Sequence, residues 1–417
     1  MINQSPLDFK ELDPSNGNLM CNQNGPFTNT SLPKKLGAFS TYLTLLKGFI
    51  ALGILYMPKY CYNGGWLFSL ITMLLSFALT NFAISMLLQA RCHTSESTYS
   101  GLANQALGKH GKVMVDIFLV LVQFSFVISF TYFVLESIKS VFDEAFKTDI
   151  DVLYIGLGAF LVTAPLCLVR KIEKFERCFI FADVLILLTV ISIVYYGVIH
   201  IHEKREWGQG VQAVNQSTYL TMIGSAIFSY EGIGVVLPVL EVTDNPKIYP
   251  QIVFAVLLTT MILYTAFGEF CLFVWGNELE GKPLITMVLP KEDWVVNIIK
   301  VIFSVNIVIS IVLQAIPAFE VIEKGRSQKN WEQNVMRTVL IGVCVGVCIM
   351  LGNQLDKFNA LIGTVVAVPI LLLFPCLIHY FILNPKAPLK HLDLGIIVTS
   401  GVLTLFCSGY TIYTWND

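Results

Sequence analysis

The chain has 417 residues, of which 55% are hydrophobic and only 13% are charged, and its formal net charge is −2. Its mean hydropathy is +0.68, whereas about a quarter of the residues are charged in a typical soluble domain. This composition excludes an ordinary soluble globular protein. Its 27 Lys and Arg residues are scattered among short loops, so we expect no nucleic-acid partner, which would need a concentrated basic face. The lipid bilayer is the predicted solvent for most of the chain.

The first segment of the chain is polar. Residues 1–38 contain many Asn, Pro, Gly and Ser residues and lack the apolar core of a signal peptide. We predict a disordered cytosolic N-terminal tail over 1–38, followed by a transmembrane domain over 39–417.

Apolar runs near the length of about 20 residues that crosses a bilayer follow this tail. They lack the period of two that marks barrel strands, so the fold class is an all-α membrane protein with about 11 transmembrane helices. The predicted spans are 39–61, 66–90, 113–141, 152–169, 178–200, 217–240, 249–275, 295–320, 335–352, 358–383 and 392–414.

The loops between the spans alternate in charge, and short loops rich in Lys and Arg stay in the cytosol. An odd number of spans then gives a cytosolic N-terminus and a C-terminus on the opposite side. The plasma membrane and a vacuolar or lysosomal membrane are equally compatible with this multi-pass topology. The sequence carries no signal for an oligomeric state. The predicted cytosolic segments are Lys34–Lys35, 91–112, 170–177, 324–337 and 386–390.

Two spans contain the residues of an interrupted helix. Gly53 and Pro58 lie in the first span, and Gly234 and Pro238 lie at similar spacing in the sixth. Corresponding breaks five spans apart are typical of an inverted repeat of five plus five helices. We predict discontinuous helices 1 and 6, with repeat one at about 39–200, repeat two at about 217–383 and an extra helix at 392–414.

Such breaks expose main-chain groups that hydrocarbon cannot satisfy. The positive N-terminal end of a half-helix starting near Gly53 suits a carboxylate. The carbonyl groups of Gly48, Phe49, Phe228 and Ser229 can accept hydrogen bonds from an ammonium group. Together these ends fit a small zwitterionic substrate.

Of the carboxyl groups inside predicted spans, where charge is costly and usually functional, two are candidates for a role in transport. Glu231 occupies the break of the sixth span, next to Gly232, and Glu269 lies within the seventh. Each is a candidate for proton coupling. The alternatives are a structural hydrogen-bond partner of the unwound segment for Glu231 and a position facing water for Glu269.

The chain resembles the amino acid/auxin permeases of the amino acid-polyamine-organocation superfamily, which have the LeuT-type fold, from about residue 36 to the C-terminus. The most specific stretch is 226–234, Ala-Ile-Phe-Ser-Tyr-Glu-Gly-Ile-Gly, followed by Leu237-Pro238. The first span has the similar pattern Lys47-Gly48, Ala51-Leu52-Gly53 and Pro58.

This resemblance implies secondary active transport of amino acids by alternating access, coupled to protons or sodium. It also implies that Ala51, Leu52 and Gly53 surround the substrate carboxylate and that Phe228 and Ser229 lie near its amino group. Ser310 in the eighth span matches a hydroxyl that related transporters set against a sodium ion. No other metal and no cofactor is expected.

Two other classes compete with a transporter. A non-transporting amino acid sensor could keep the same fold and the same pocket. An enzyme is not expected, because no paired carboxylates, His cluster or Ser/His arrangement converge at one depth of the membrane. Cys344 and Cys348 lie four residues apart without His or carboxylate neighbours and are interpreted as small buried hydrophobic residues.

Overall fold

The computed structural model describes residues 36–50, 53–145, 147–148, 150–169, 176–290, 293–324 and 329–415. Most of the predicted tail, residues 1–35, lies outside these ranges. The described residues form helices and contain no strand, apart from one isolated bridge between Leu36 and Thr243. The helices are α1 Ala38–Ile50, α2 Gly53–Gly64, α3 Trp66–Cys92, α4 Tyr99–Ala145, α5 Val152–Cys167, α6 Glu176–Lys204, α7 Tyr219–Ser229, α8 Ile233–Val242, α9 Tyr249–Trp275, α10 Trp294–Glu323, α11 Asn330–Leu351, α12 Leu355–Ile362, α13 Phe374–Leu383 and α14 Leu389–Tyr413.

The all-helical membrane class is confirmed, but the number of spans stays a prediction. Eight helical segments of the described chain are long and apolar enough to cross a bilayer, and a ninth results if α1 and α2 form one bent span. Two features lower this count below eleven. Helix α5 is short, with 16 residues, and two predicted spans form one segment, Asn330–Leu383, in which Gly352 has a φ of +48°.

Both predicted breaks coincide with helix ends. Helix α1 ends at Ile50 and α2 begins at Gly53, with their axes inclined by 48°. In the sixth span, α7 ends at Ser229, and α8 begins at Ile233. Each second half-helix has proline as its sixth residue, Pro58 in α2 and Pro238 in α8. Because proline cannot donate a main-chain hydrogen bond, the carbonyl four residues earlier is freed near each break.

The broken sixth span lies at the centre of the helix bundle. In the most apolar stretch of Tyr219–Val242, 72% of the residues are buried within the protein, compared with 17% for Val184–Lys204 in α6. Helix α7 packs against α2 and α12, and α1 and α2 pack against α9. The outer helices expose apolar side chains such as Leu187 and Leu405, as lipid-facing surfaces do. The two breaks are thus enclosed by other helices rather than turned toward lipid.

The helix that follows α12 is irregular. Gly363–Ala367 and Pro369–Leu373 form π-helical turns before α13 begins. A Cβ atom added to Gly363 would strike the main-chain carbonyl oxygen of Gly224 in α7. Only glycine permits this approach of two backbones, which fixes the first half of the sixth span against this segment.

Candidate functional site

The two helix breaks contact each other directly. A Cβ atom added to Gly232 would lie 2.7 Å from the ring of Phe49 at the end of α1. The φ angle of Gly232 is −171°, which any residue adopts, so the ring of Phe49 and not the backbone requires glycine here. One residue before Phe49, a Cβ on Gly48 would lie 2.8 Å from a methyl group of Val235 in α8. Helix α1 therefore packs closely against the second half of the sixth span.

A tyrosine of α9 fills the break in the first span. The Tyr264 hydroxyl lies 2.7 Å from the carbonyl oxygen of Ile50 and 3.0 Å from that of Phe49, and it donates to these last carbonyls of α1. A Cβ atom on Gly53 would lie 2.5 Å from the same hydroxyl oxygen. Tyr264 is fully buried. Its hydroxyl stabilises carbonyl groups that the end of a helix leaves unpaired. One of them, the Phe49 carbonyl, is a predicted hydrogen-bond acceptor for the substrate, and Tyr264 already donates to it.

A cavity of about 20 Å³ lies beside these contacts. A cavity that holds one water molecule measures about 10–15 Å³ on this scale, so the space is smaller than an amino acid. The lining residues must move apart before a substrate enters. They come from α1, α2, α4, α7, α9 and α10 and from the sixth-span break. They are Gly48, Phe49, Ile50, Gly53, Tyr56, Tyr60, Phe126, Ser129, Phe130, Phe228, Ser229, Glu231, Tyr264 and Gln314.

Glu231 is the charged residue of this lining. Its side chain is 3% exposed, and its Oε1 atom has no hydrogen-bond partner in the described structure. The neighbouring Ser229 hydroxyl donates to the Ser225 carbonyl and the Glu231 N–H group donates to the Phe228 carbonyl, so both of these donors are already used. A buried carboxyl oxygen without a partner is costly. Glu231 therefore has unused capacity for a proton or a donor group of a ligand.

Half of the residues in the cavity wall are aromatic. Phe126 of α4 stacks on Phe228 with ring centroids 4.6 Å apart. Seven of the fourteen lining residues are aromatic, and none of the fourteen is Lys, Arg or His. The wall is thus apolar toward a ligand side chain, while the helix ends and Glu231 supply its polar groups.

Hydrogen bonds close one end of the cavity. The Tyr56 hydroxyl donates to the Ser129 carbonyl at 2.6 Å. Asn359 of α12 donates to the Tyr60 hydroxyl at 2.9 Å and accepts from the Ser129 hydroxyl at 2.8 Å. These contacts join α2 to α4 and α12.

Toward the start of α1, contacts join the segment before α1 to the end of α8, and α8 to α3. The Leu36 N–H donates to the Val242 carbonyl at 2.8 Å, and the Asp244 N–H donates to the Leu36 carbonyl at 2.9 Å. Arg91 at the end of α3 forms an ion pair with Glu241 of α8 at 2.7 Å. Leu36 and Ala38 are therefore part of the folded domain, although the sequence assigned them to the tail.

The structure brings together most of the predicted substrate residues. Gly232 adjoins the cavity through Phe49. Ala51 and Leu52 lie outside the described residues, so their predicted contact with a carboxylate stays a prediction. The predicted substrate residues that line the cavity are Gly48, Phe49, Gly53, Phe228, Ser229 and Glu231.

The two other ion-coupling candidates are not in the cavity lining. Glu269 accepts a hydrogen bond from the Ser69 hydroxyl of α3, and its second oxygen is buried without a partner among the described residues. It lies near Cys61 of α2. Ser310 donates to the carbonyl of Asn306 in its own helix at 3.2 Å. Their roles in ion coupling, including sodium at Ser310, stay predictions.

Several lining residues have no distinctive sequence signal. Tyr264 and Phe126 lie in apolar spans without a motif, whereas Gln314 lies in the stretch Leu313-Gln314 and Pro317 of the eighth span, which resembles the permease family. Their helices are far apart in the sequence, and only their packing shows that they share a cavity with the two breaks.

Two curated relatives of the chain are named as amino acid transporters. Vacuolar amino acid transporter 3 of Schizosaccharomyces pombe is 28% identical over 382 residues, which cover 89% of this chain and 57% of the relative. Vacuolar amino acid transporter 3 of Saccharomyces cerevisiae is 27% identical, with 92% and 58% of the two chains covered. The chain thus spans little more than half the length of these curated relatives.

A solved structure has the same fold. The crystal structure of MhsT in complex with L-phenylalanine superposes with a TM-score of 0.58 over 90% of this chain and 97% of that chain, at 14% sequence identity. This likeness supports the fold expected from the family resemblance.

The family model described as transmembrane amino acid transporter protein matches residues 34–414. This range includes both helix breaks and every residue of the cavity lining. The chain belongs to the transmembrane amino acid transporter family.

Proposed function

We propose that this protein is a secondary active transporter that carries amino acids across a membrane by alternating access and couples this transport to protons. The main support for this proposal is the direct contact between the two helix breaks. Beside this contact lies a buried carboxyl oxygen of Glu231 that has no hydrogen-bond partner in the described structure. This arrangement combines a polar centre for a zwitterion with an ionisable group that can take up a proton. The family match over residues 34–414 supports the same function.

The substrate would bind with its charged groups at the broken helix ends. Its carboxylate would face the N-terminal end of α2 at Gly53, and its ammonium group would face Glu231 and the C-terminal ends of α1 and α7. The fourteen cavity residues include seven aromatic side chains and no basic one. A neutral amino acid with an apolar side chain fits this wall better than an acidic one, whose second carboxylate would lack a partner.

The size and the closure of the cavity support the proposal of alternating access. A space of about 20 Å³ must expand for any amino acid. The contacts that close its two ends join different helices, Tyr60 to Asn359 at one end and Arg91 to Glu241 at the other. Opening one set at a time would expose the site to one side of the membrane and then to the other.

Protons are proposed as the coupling ion because Glu231 lines the cavity. Ser310, the sodium candidate, donates to Asn306 instead. The two yeast relatives are named vacuolar transporters, and we propose that this protein also resides in the membrane of an acidic compartment. The basic loops favour a cytosolic N-terminus and a C-terminus on the opposite side.

Proteoliposomes containing the purified chain test this function. Uptake of labelled neutral, acidic and basic amino acids would be measured under a proton gradient alone and under a sodium gradient alone. We expect a proton gradient to drive the accumulation of neutral amino acids. Uptake driven only by sodium would overturn the proton assignment.

Counterflow in the same liposomes separates a transporter from a sensor. A transporter exchanges labelled for unlabelled amino acid even without an ion gradient. Saturable binding to the purified protein without exchange would contradict the proposed transport and favour a sensor.

A further inference from the structure

Most polar side chains of the cavity lining already have hydrogen-bond partners within the protein. These bonded side chains are Tyr56, Tyr60, Ser129, Ser229 and Tyr264. Two polar side chains of the lining remain, those of Glu231 and Gln314. They are the lining groups that can still bind a polar atom of a ligand.

Gln314 is the uncharged member of these two. It lies in the second half of α10, three residues before Pro317. Its amide makes no hydrogen bond to another described residue, and its side chain is only partly buried, as a group that faces a cavity is expected to be. A glutamine amide has two N–H donors and a carbonyl acceptor. Gln314 can therefore both donate to a ligand and accept from it.

Gln314 reaches the cavity from a wall that is separate from the helix breaks. Helix α10 packs mainly against α4, α6 and α5, and none of these is half of a broken span. The broken helices pack mainly against α9, α12 and one another. Because α4 adds Phe126 and Phe130 to the lining, this second wall consists of two aromatic rings and the Gln314 amide.

A substrate held at the helix breaks would turn its side chain toward this second wall. Its carboxylate and its ammonium group are proposed to bind at Gly53 and Glu231, so the side chain is the part left to meet Phe126, Phe130 and Gln314. A hydroxyl or carboxamide group on this side chain can pair with the Gln314 amide. An aliphatic side chain of the same shape would displace water and leave the amide unpaired, which disfavours binding.

A charged side chain fits the same position poorly. The cavity lining contains no Lys, Arg or His, and its carboxyl group, Glu231, is proposed to bind the ammonium group of the substrate. One neutral amide does not compensate a buried charge. The side chain that suits this wall is therefore polar and uncharged.

We propose that Gln314 is a specificity-determining residue, which hydrogen-bonds the side chain of the substrate. It selects uncharged amino acids with a hydroxyl or carboxamide group over aliphatic amino acids of the same shape. The placement of the substrate in this inference rests on the proposed function. Gln314 thus acts in the choice of substrate, whereas proton coupling is assigned to Glu231.

Binding of matched amino acids to the purified chain in detergent tests this selection. Threonine and valine have nearly the same shape, as do asparagine and leucine, and within each pair only the first has a hydrogen-bonding side chain. Affinities would be measured from the rise in the temperature of thermal unfolding with ligand concentration. We expect the polar member of each pair to bind roughly 5- to 150-fold more tightly. Equal or tighter binding of valine and leucine would overturn the proposal.

Gln314→Met tests whether this preference depends on the amide. Methionine keeps the length of the side chain but removes both hydrogen-bonding atoms. We expect the affinity ratio within each pair to fall by roughly 5- to 150-fold, while valine and leucine bind at least as tightly as to the wild type.

Gln123→Met is the matched control, because Gln123 is a buried glutamine of α4 outside the cavity lining. It should keep the wild-type ratios. Unchanged ratios in Gln314→Met, or an equal fall in both variants, would overturn the proposal. The wild-type comparison needs no variant, so the proposal can be refuted even if Gln314→Met does not fold.

Uptake into proteoliposomes separates this inference from the proposed function. Gln314→Met should still accumulate valine under a proton gradient, because the coupling residue is intact. Proton-driven uptake by the wild type together with ratios that do not depend on Gln314 would refute the selection and leave the proposed function standing. A wild-type chain that binds no amino acid would refute both.

Discussion

Glu231 is the residue on which the proposed proton coupling depends. Its carboxyl group lines the cavity with one oxygen unpartnered, whereas Glu269 lies beside Ser69 outside the lining. Sequence position alone made both residues candidates. The surroundings of each side chain now distinguish them, because only Glu231 can contact both a substrate and the broken helix.

Replacing Glu231 by Gln should uncouple transport from the proton gradient. The amide has nearly the same shape but binds no proton, so we expect accumulation driven by the gradient to fall to the level of protein-free liposomes. Exchange of labelled for unlabelled substrate should continue. The parallel measurement on Glu269→Gln compares the other candidate. Loss of coupling in Glu269→Gln together with normal coupling in Glu231→Gln would show that the assignment is wrong.

Gly232 offers a test of the contact between the breaks. In Gly232→Ala the new methyl group would lie 2.7 Å from the Phe49 ring, an overpacking that costs about 1–3 kcal/mol. If this cost falls on the binding-competent state, substrate affinity measured by equilibrium binding should drop roughly 5- to 150-fold.

Gly234→Ala is the matched control, because its methyl group would lie 3.4 Å from Gln123 Nε2, an ordinary contact. It should bind substrate like the wild type. Equal affinities for both variants would argue against a close contact between Phe49 and the sixth-span break.

At the scale of elements, α9 stabilises the end of α1 through a single hydroxyl group. In Tyr264→Phe the carbonyls of Phe49 and Ile50 lose their donor, and a buried unsatisfied acceptor costs about 1–3 kcal/mol. We expect a lower temperature of thermal unfolding in detergent. Tyr42→Phe, which removes a partly buried hydrogen bond to Thr259 between the same two helices, should lower it less.

A double-mutant cycle sharpens this test. Gly53→Ala alone would bring a methyl group to 2.5 Å from the Tyr264 hydroxyl oxygen. In the Tyr264→Phe background this obstacle is gone, so the cost of Gly53→Ala should fall. Additive effects of the two changes would mean that the hydroxyl does not occupy the break.

At the scale of the whole molecule, opposite ends of the bundle are closed by different contacts. Glu241 of α8 pairs with Arg91 at 2.7 Å, and its side chain is 40% exposed. An exposed ion pair contributes about 0.2–1 kcal/mol, enough to change the ratio of closed to open states up to roughly fivefold. In Glu241→Gln we expect faster hydrogen–deuterium exchange at the start of α1.

The control for this experiment is Glu278→Gln. Glu278 pairs with Lys204 at 2.5 Å beyond the other end of α9, so its loss should leave exchange at the start of α1 unchanged. If both variants exchange alike at that segment, the Arg91–Glu241 pair does not hold this end of the bundle closed.

The sequence determined the class of the protein and the location of its helix breaks. Apolar runs of bilayer length require helices, because lipid cannot satisfy main-chain polar groups. Gly53 with Pro58 and Gly234 with Pro238 predict where those helices stop, because these residues weaken or remove local hydrogen bonds. Such signals are local in the chain and can be read without packing.

Only the tertiary structure decided which groups meet at those breaks. Phe49 covers Gly232, Tyr264 donates to the end of α1, and Glu269 lies apart from the cavity. His379 and Asp393 are 14 residues apart in the sequence, yet only the antiparallel packing of α13 and α14 turns them into a buried pair. Hydrogen bonds and ring contacts act over a few ångströms between distant segments, so spacing along the chain cannot specify them.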